Sequence, residues 1–441
     1  MTGLLFKLTG LTGARLAGSI AAFASTVLIG RQFGTEVLAN FAVWMSAAGI
    51  LSVIMPAGLQ SLAPVVLSKA DRNGDREIAK SLLGFGRVSI MVVTSIVLAF
   101  GLIWGILGNA SPSVSQTQIF LSIVLMAPLM ALVQLHAGAL NGLQKHLSGQ
   151  LPDTLLKPLT FLCLLSMATF SGGVDSAYSV LVALTLSLLL AVSIQTVALS
   201  RALRKIPQDQ FTSKKKEGWW KRSFSWLGVS LLWDYHVEIL MLVVAAIANP
   251  LEVAVLYVCF RIRVLLGFGV KTIYQVLQPA IFAADTRQDM GLVQGFVGKI
   301  NTLSAVYVIP AFLAISLLGP EILKIFDPAM SEYGAVLLTV CSVLLARATL
   351  GPAITILASN DMQNTIAKTL FAGLFVSLIG SLVLYPSMGI LGVAVSYTLS
   401  SGLAALWMRS KVKRIFGIDT AIWATRIRAD ANQPDEFSTA G

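Results

Sequence analysis

The sequence predicts an all-α polytopic membrane protein, with about 12 transmembrane helices in two pseudo-symmetric six-helix bundles around a central cavity. Three observations lead there. Charged residues make up only 12% of the chain and apolar residues 56%, where an ordinary soluble domain carries about a quarter charged. No Asp, Glu, Lys or Arg occurs between Val88 and Gln144, or between Thr369 and Met408, and each stretch is long enough for two crossings of roughly 20 residues. These tracts mix Leu, Ala, Gly and Ser without the alternation of a barrel strand, so in lipid only α-helices satisfy their backbone groups.

Cutting at charges, prolines and polar dipeptides gives the spans in order. The run 11–30 follows Lys7 and contains Arg15; with no small-residue cleavage site after it, it reads as a retained helix rather than a cleaved signal. The run 37–58 ends on Pro56 and Gly58, runs 84–107 and 117–139 form the first charge-free hairpin, and 154–171 and 177–200 complete six. The second set is 226–248, 253–280, 297–318, 334–357, 365–385 and 389–408. Prolines inside or at the ends of spans, such as Pro56, Pro128, Pro310 and Pro352, are expected bending points. The cysteines Cys163, Cys259 and Cys341 each lie in an apolar run, which implies neither a disulfide framework nor a zinc site.

With the N-terminus placed in the cytoplasm, basic residues fall on the inside loops. They are Lys69, Arg72, Arg76 and Lys80, then Lys145, the cluster from Arg201 to Arg222, Arg287, and the group Arg409 to Arg414. The outside loops hold only Arg31 and Lys324. This asymmetry sets both termini inside and makes the span count even. It also accounts for the net charge of +11 without nucleic-acid binding. The expected organisation is a first bundle over 1–205, a basic cytoplasmic linker over 206–224 with Lys214 to Lys216 and Trp219–Trp220, a second bundle over 225–410, and a polar cytoplasmic tail over 411–441, mobile from Gly417 onward.

Short strings recur between the halves. Glu36, Val37 and Phe41 return as Glu252, Val253 and Tyr257, and Asn141, Leu143 and Gln144 return as Asn360, Met362 and Gln363, at almost one offset and at corresponding places. A duplicated unit with an even number of spans places its copies the same way up, related by an axis along the membrane normal.

The string Gly30-Arg31-Gln32-Phe33-Gly34-Thr35-Glu36 leading to Phe41, the turn Asn73-Gly74-Asp75-Arg76-Glu77, and Asp234 followed by Leu251-Glu252 and Tyr257 resemble the polysaccharide-transport branch of the MOP exporter superfamily, which includes the O-antigen flippases. The resemblance implies an inner-membrane transporter that flips an undecaprenyl-diphosphate-linked oligosaccharide to the periplasmic leaflet by alternating access, for surface polysaccharide biosynthesis. It implies a basic central cavity, membrane lipids as surroundings, and a polysaccharide polymerase and chain-length machinery as partners. Drug exporters of the superfamily place a carboxylate in the first span, where this chain has Arg15. Lipid II flippases of the superfamily carry two further helices.

An arginine at mid-bilayer costs about 2.5–3.5 kcal/mol on insertion scales, so one that persists faces a cavity or reaches the interface. Arg15, Arg261, Arg263, Lys271 and Arg347 are the candidates for a cationic vestibule, since a guanidinium fork can hold phosphate oxygens in pairs. Arg15 lies early enough in its span to snorkel instead. Arg261 and Arg263, two residues apart, point to different sides of a helix, whereas Arg263 and Lys271 more nearly share one. Asp234 and Glu238 share a face at i,i+4. They read either as an ion-coupling pair or as partners in an ion pair with Arg261 or Arg263. Gln134 and His136 read as helix-to-helix hydrogen-bonders.

No nucleophile elbow, phosphate loop, metal motif or large external loop is present, so no enzyme, metal or cofactor is expected. Two alternatives stay open, an ion-coupled drug or metabolite antiporter and a non-transporting membrane subunit of a polysaccharide assembly complex.

Overall fold

In the computed structural model the chain is helical throughout, with no strand among the described residues. These are 2–107, 114–170, 177–206, 223–224, 227–228, 230–232, 235–283, 290–360 and 362–424. Ten described stretches are long and apolar enough to cross a bilayer. One of them, Thr12–Ile54, holds two helices, and His236–Ile247 is a shorter apolar helix. Each of the twelve runs read from the sequence therefore meets a helix, in the expected order. Large apolar side chains stand uncovered, Phe170 at 90% and Leu317 at 80% exposure, an arrangement that water penalises and lipid does not.

Packing divides the chain into two units, Met1–Tyr257 with Ile325–Asp327, and Val258–Lys324 with Pro328–Gly441. The break by packing falls inside one long helix, between Tyr257 and Val258, and most of the basic linker lies outside the described residues.

In the first unit, α1 (Thr2–Leu28) runs into a five-residue π turn, and Gly34, at φ 87°, lets the chain restart as α2 (Gly34–Ile54). Gly58 (φ 81°) turns the chain beneath α2, where a Cβ would come within 2.8 Å of the Leu227 nitrogen. The following residues were expected to be an inside loop, but they form α3 (Leu59–Asn73). The reason is an amphipathic period: Leu59, Leu62, Ala63, Val66, Leu67 and Ala70 are buried while Lys69, Asp71 and Arg72 face outward. Gly74 ends α3 at φ 68°, and Asp75 caps α4 (Arg76–Leu107) by accepting the Ile78 N–H at 3.0 Å. The central strut is α5 (Val114–Gly142), which packs on α2, α3, α4 and α8 (Ala177–Arg204). Gly142 permits the close crossing with α3, since a Cβ there would lie 2.8 Å from the Pro64 carbonyl oxygen. The short α6 (His146–Leu151) and a second π turn lead to α7 (Lys157–Phe170), which packs on α1. Beyond a bend at Tyr235, α9 (His236–Ala245) lies against α2.

The helix α10 (Pro250–Ala283) opens on a reciprocal cap. The Glu252 N–H donates to Asn249 Oδ1 at 3.0 Å, and Asn249 Nδ2 donates back to Glu252 Oε2 at 3.0 Å. The second unit continues with α11 (Met290–Lys324), α12 (Gly334–Leu350), the short α13 (Ala353–Ser359), α14 (Gln363–Met388) and α15 (Ile390–Phe416). The last two form a tight hairpin around Gly389 (φ 58°), closed by small residues: a Cβ on Gly380 would meet Ser396 Oγ at 2.8 Å, and one on Gly392 the Leu384 carbonyl oxygen at 2.6 Å.

The tail departs from the expectation of mobility over its first residues. α15 runs on to Phe416, and the segment 417–424 is clasped to the unit. Gln294 Nε2 donates to the Asp419 carbonyl oxygen at 2.8 Å, Asn301 Nδ2 to that of Thr420 at 2.7 Å, and Thr420 Oγ1 to that of Leu350 at 2.6 Å. Arg409 grips the Asp419 carboxylate with two bonds of 2.8 and 2.9 Å and lies 4.9 Å from the Trp423 ring. Polar composition concealed this because the partners sit on α11, α12 and α15. Residues 425–441 lie outside the described residues.

Candidate functional site

Four of the five predicted cations lie in the second unit, on α10 and α12. These helices run parallel: a Cβ on Gly267 would lie 3.4 Å from Leu344, Val270 packs with Ala348, and the Tyr274 hydroxyl donates to the Arg347 carbonyl oxygen at 3.2 Å. Lys271 and Arg347 thus come to the same end of the pair, and both are exposed. Arg263 lies eight residues back along α10 from Lys271, about 12 Å at 1.5 Å per residue.

Arg263 is half-buried, and its guanidinium carbon stands 5.6 Å from the Phe260 ring centre and 5.5 Å from that of Tyr397. Phe260 and Tyr397 themselves meet edge to face with centroids 5.0 Å apart, making a rigid corner. The rings stabilise the cation without consuming its N–H groups, and Arg263 Nε is buried with no hydrogen-bond partner. A mid-span guanidinium held on aromatic faces with a donor left over is chemically suited to an anion. Arg261 is half-buried on the same helix and points to another side.

The fifth cation, Arg15, lies in the first unit, where Nη2 donates to Gln150 Oε1 at the end of α6. That bond ties it to the neighbouring helix.

The expected carboxylate pair is only half visible, because Asp234 lies outside the described residues. Glu238 is half-buried on α9, where its Cγ approaches to 4.0 Å the position a Cβ on Gly49 would take. Beside it is a polar cluster joining three helices of the first unit: Gln134 Nε2 donates at 2.8 Å to Ser52 Oγ of α2 and at 2.8 Å to the hydroxyl of Tyr235. Gln134 therefore acts across helices as read. Ser52 and Tyr235 were missed because a lone serine or tyrosine in an apolar run carries no pattern; their roles arise only when α2, α5 and α9 meet. His136, two residues on, is buried with neither ring nitrogen hydrogen-bonded. Among the described residues no group of three or more His, Cys, Asp or Glu side chains could hold a metal.

The fold defines a multi-pass α-helical membrane protein. No protein-family model matches the sequence, and no curated protein matches it. Solved structures do. The chain superposes on the lipid II flippase MurJ in its inward closed conformation with a TM-score of 0.73 and 15% identity, over 96% of this chain and 93% of that one. It superposes on an inward-facing multidrug resistance MATE family transporter of the MOP superfamily with a TM-score of 0.68 and 13% identity, over 95% and 98% of the two chains. A third neighbour is a MOP superfamily transporter from Pyrococcus furiosus described as having a binding pocket of reversed polarity, with a TM-score of 0.59 and 12% identity over 96% of each chain. The chain thus has the fold of MOP superfamily transporters.

Proposed function

We propose that this protein is a flippase that carries a lipid-linked, undecaprenyl-diphosphate oligosaccharide from the cytoplasmic to the periplasmic leaflet of the inner membrane by alternating access, with both termini cytoplasmic. The observation that carries the reading is Arg263, a mid-span guanidinium stacked on Phe260 and Tyr397 with Nε–H unspent, on a helix that also bears Arg261 and Lys271. A diphosphate headgroup needs such donors to pass through a low-dielectric region, and a planar fork binds phosphate oxygens in pairs. Arg347 joins the set from α12, and Arg15 fits an interfacial role through Gln150. The basic first span also separates this chain from the acidic first span implied for drug exporters.

Deletion of the protein followed by lipid extraction tests the reading. Accumulation of undecaprenyl-diphosphate-linked oligosaccharide with a fall in surface polysaccharide is expected, and an unchanged lipid pool sinks it. The second reading, an ion-coupled antiporter, is favoured by the MATE neighbours and by Glu238 beside the Gln134–Tyr235 cluster. It predicts drug hypersensitivity on deletion, and transport that loses its dependence on an ion gradient in Glu238→Gln. Retained dependence in that variant rules out Glu238 as the coupling group.

A further inference from the structure

The hairpin of α14 and α15 carries a groove of about 410 Å3 on its outer face, within the range of roughly 300–1,000 Å3 typical of ligand clefts. Its lining is graded along the helix axes. At one end stand Lys368 and Lys411, one turn further in Ala372 and Trp407, and one turn beyond that Val376 and Leu403. Each step of four residues up α14 is matched by four down α15, as an antiparallel pair requires, and residues four apart share a face. Gly373 and Ala404 form the floor: a Cβ on Gly373 would lie 3.7 Å from that of Ala404, so the helices pack tightly and leave a trough above them. The hydroxyls of Thr365 and Thr369 line the basic end.

We propose that this groove binds one anionic phospholipid of the surrounding bilayer, with its headgroup phosphate between Lys368 and Lys411 and an acyl chain laid past Trp407 towards Val376 and Leu403. The surrounding face says which medium covers it. Phe371, Phe375, Ile379, Leu382 and Val383 on α14 are exposed and wholly apolar, as suits lipid rather than an aqueous passage. The charges say which lipid fits. Neither Lys368 nor Lys411 is in an ion pair among the described residues, and the carboxylate of Asp419 below them is already held by Arg409 and Lys413. Lys411 Nζ lies 5.5 Å from the Trp407 ring centre, which directs it over the trough, with the amphipathic indole one turn deeper. The basic end shares its level with Lys413 and Arg414 at the end of α15, and the positive-inside asymmetry makes that the cytoplasmic leaflet. From Lys368 to Val376 the trough descends about 12 Å, deep enough for the first part of an acyl chain. The inference depends on the protein's membrane fold and not on its cargo.

The test is native mass spectrometry of the full chain released from nanodiscs of phosphatidylglycerol or of phosphatidylcholine. The wild-type protein is expected to keep phosphatidylglycerol and not phosphatidylcholine. Lys368→Gln with Lys411→Gln is expected to weaken that retention about twenty-five-fold, a factor of about five for each lysine at an anionic headgroup. Ala372→Phe, at an exposed position that fills the trough and leaves both lysines in place, is expected to lose it as well. Lys324→Gln, distant in sequence and paired with Glu321, is the control and should bind as the wild type does. Equal retention of the two lipids by the wild type, or wild-type retention in the double lysine variant, overturns the proposal. Wild-type retention in Ala372→Phe would reduce the effect to surface attraction and overturn the groove.

Discussion

Replacing Arg263 with leucine separates a structural arginine from a working one, because the two roles predict opposite signs for stability. A mid-span arginine costs about 2.5–3.5 kcal/mol to place in the bilayer. Against this stand two ring contacts at 5.5 and 5.6 Å, worth together about 1–2 kcal/mol in a partly desolvated setting. Its Nε–H recovers nothing. The balance leaves the arginine a net cost of about 1–2 kcal/mol, so Arg263→Leu should raise the midpoint of thermal unfolding in detergent or leave it unchanged. Flipping should fall, because a charge-assisted hydrogen bond to phosphate is worth about 1.5–3 kcal/mol, or roughly tenfold to a hundredfold in transport rate at limiting substrate. Arg263→Lys keeps the charge and loses the planar stack, and it should fall between the two. The assay is reconstitution with a fluorescent undecaprenyl-diphosphate sugar, beside a thermal melt of the same sample. A leucine variant that unfolds several degrees earlier and flips normally would refute the reasoning.

The tail clasp gives two further outcomes. Burial pushes the Asp419 carboxyl up, but hydrogen bonds from Arg409, the Ala421 backbone and Lys413 outweigh it and hold the group at about 2. Since an unfolded aspartate titrates near 3.9, this contribution is complete above about pH 4 and is lost as the pH falls through 2; Asp419→Asn should remove about 1–2 kcal/mol at neutral pH, seen as lost hydrogen-exchange protection over residues 418–421, and unchanged protection would contradict the clasp. Gly351 holds φ 75°, and a Cβ there would collide with the Thr420 carbonyl oxygen and come within 2.7 Å of Asn301 Oδ1, so Gly351→Ala should free the same segment and cost at least about 1–2 kcal/mol in backbone strain. Gln134→Leu removes the hydrogen bonds to Tyr235 and Ser52 and should lower stability by about 1–3 kcal/mol, at about 0.5–1.5 kcal/mol for each bond; a double-mutant cycle with Tyr235→Phe should show coupling, and additive effects in the double variant would show that the pair is not coupled.

What the sequence made legible was whatever depends on one helix at a time. The twelve apolar runs needed only length and composition, and each meets a helix. α3 was read as a loop because its charges break the apolar run, although its period of buried positions already marked an amphipathic helix. The clasp of 417–424 was hidden because Asp419 and Thr420 find partners at Gln294, Asn301, Leu350 and Arg409, more than a hundred residues away in two cases. Among the site residues, charge in an apolar run marks Arg263 together with Arg15, Arg261, Lys271 and Arg347, while the corner of Phe260 and Tyr397 that holds it joins α10 to α15 and leaves no local trace. The same holds for Ser52 and Tyr235 around Gln134. Asp234 lies outside the described residues, so its partnership with Glu238 stays a proposal.

Flipping by the purified chain alone tests the central claim most directly. The protein is reconstituted into proteoliposomes with a labelled undecaprenyl-diphosphate oligosaccharide in the inner leaflet, and its arrival outside is followed with an impermeant sugar-binding probe. The account predicts transfer that needs the protein and falls at least tenfold in Arg263→Leu with the fold intact. No transfer above empty liposomes, or equal transfer by wild type and variant, would contradict it.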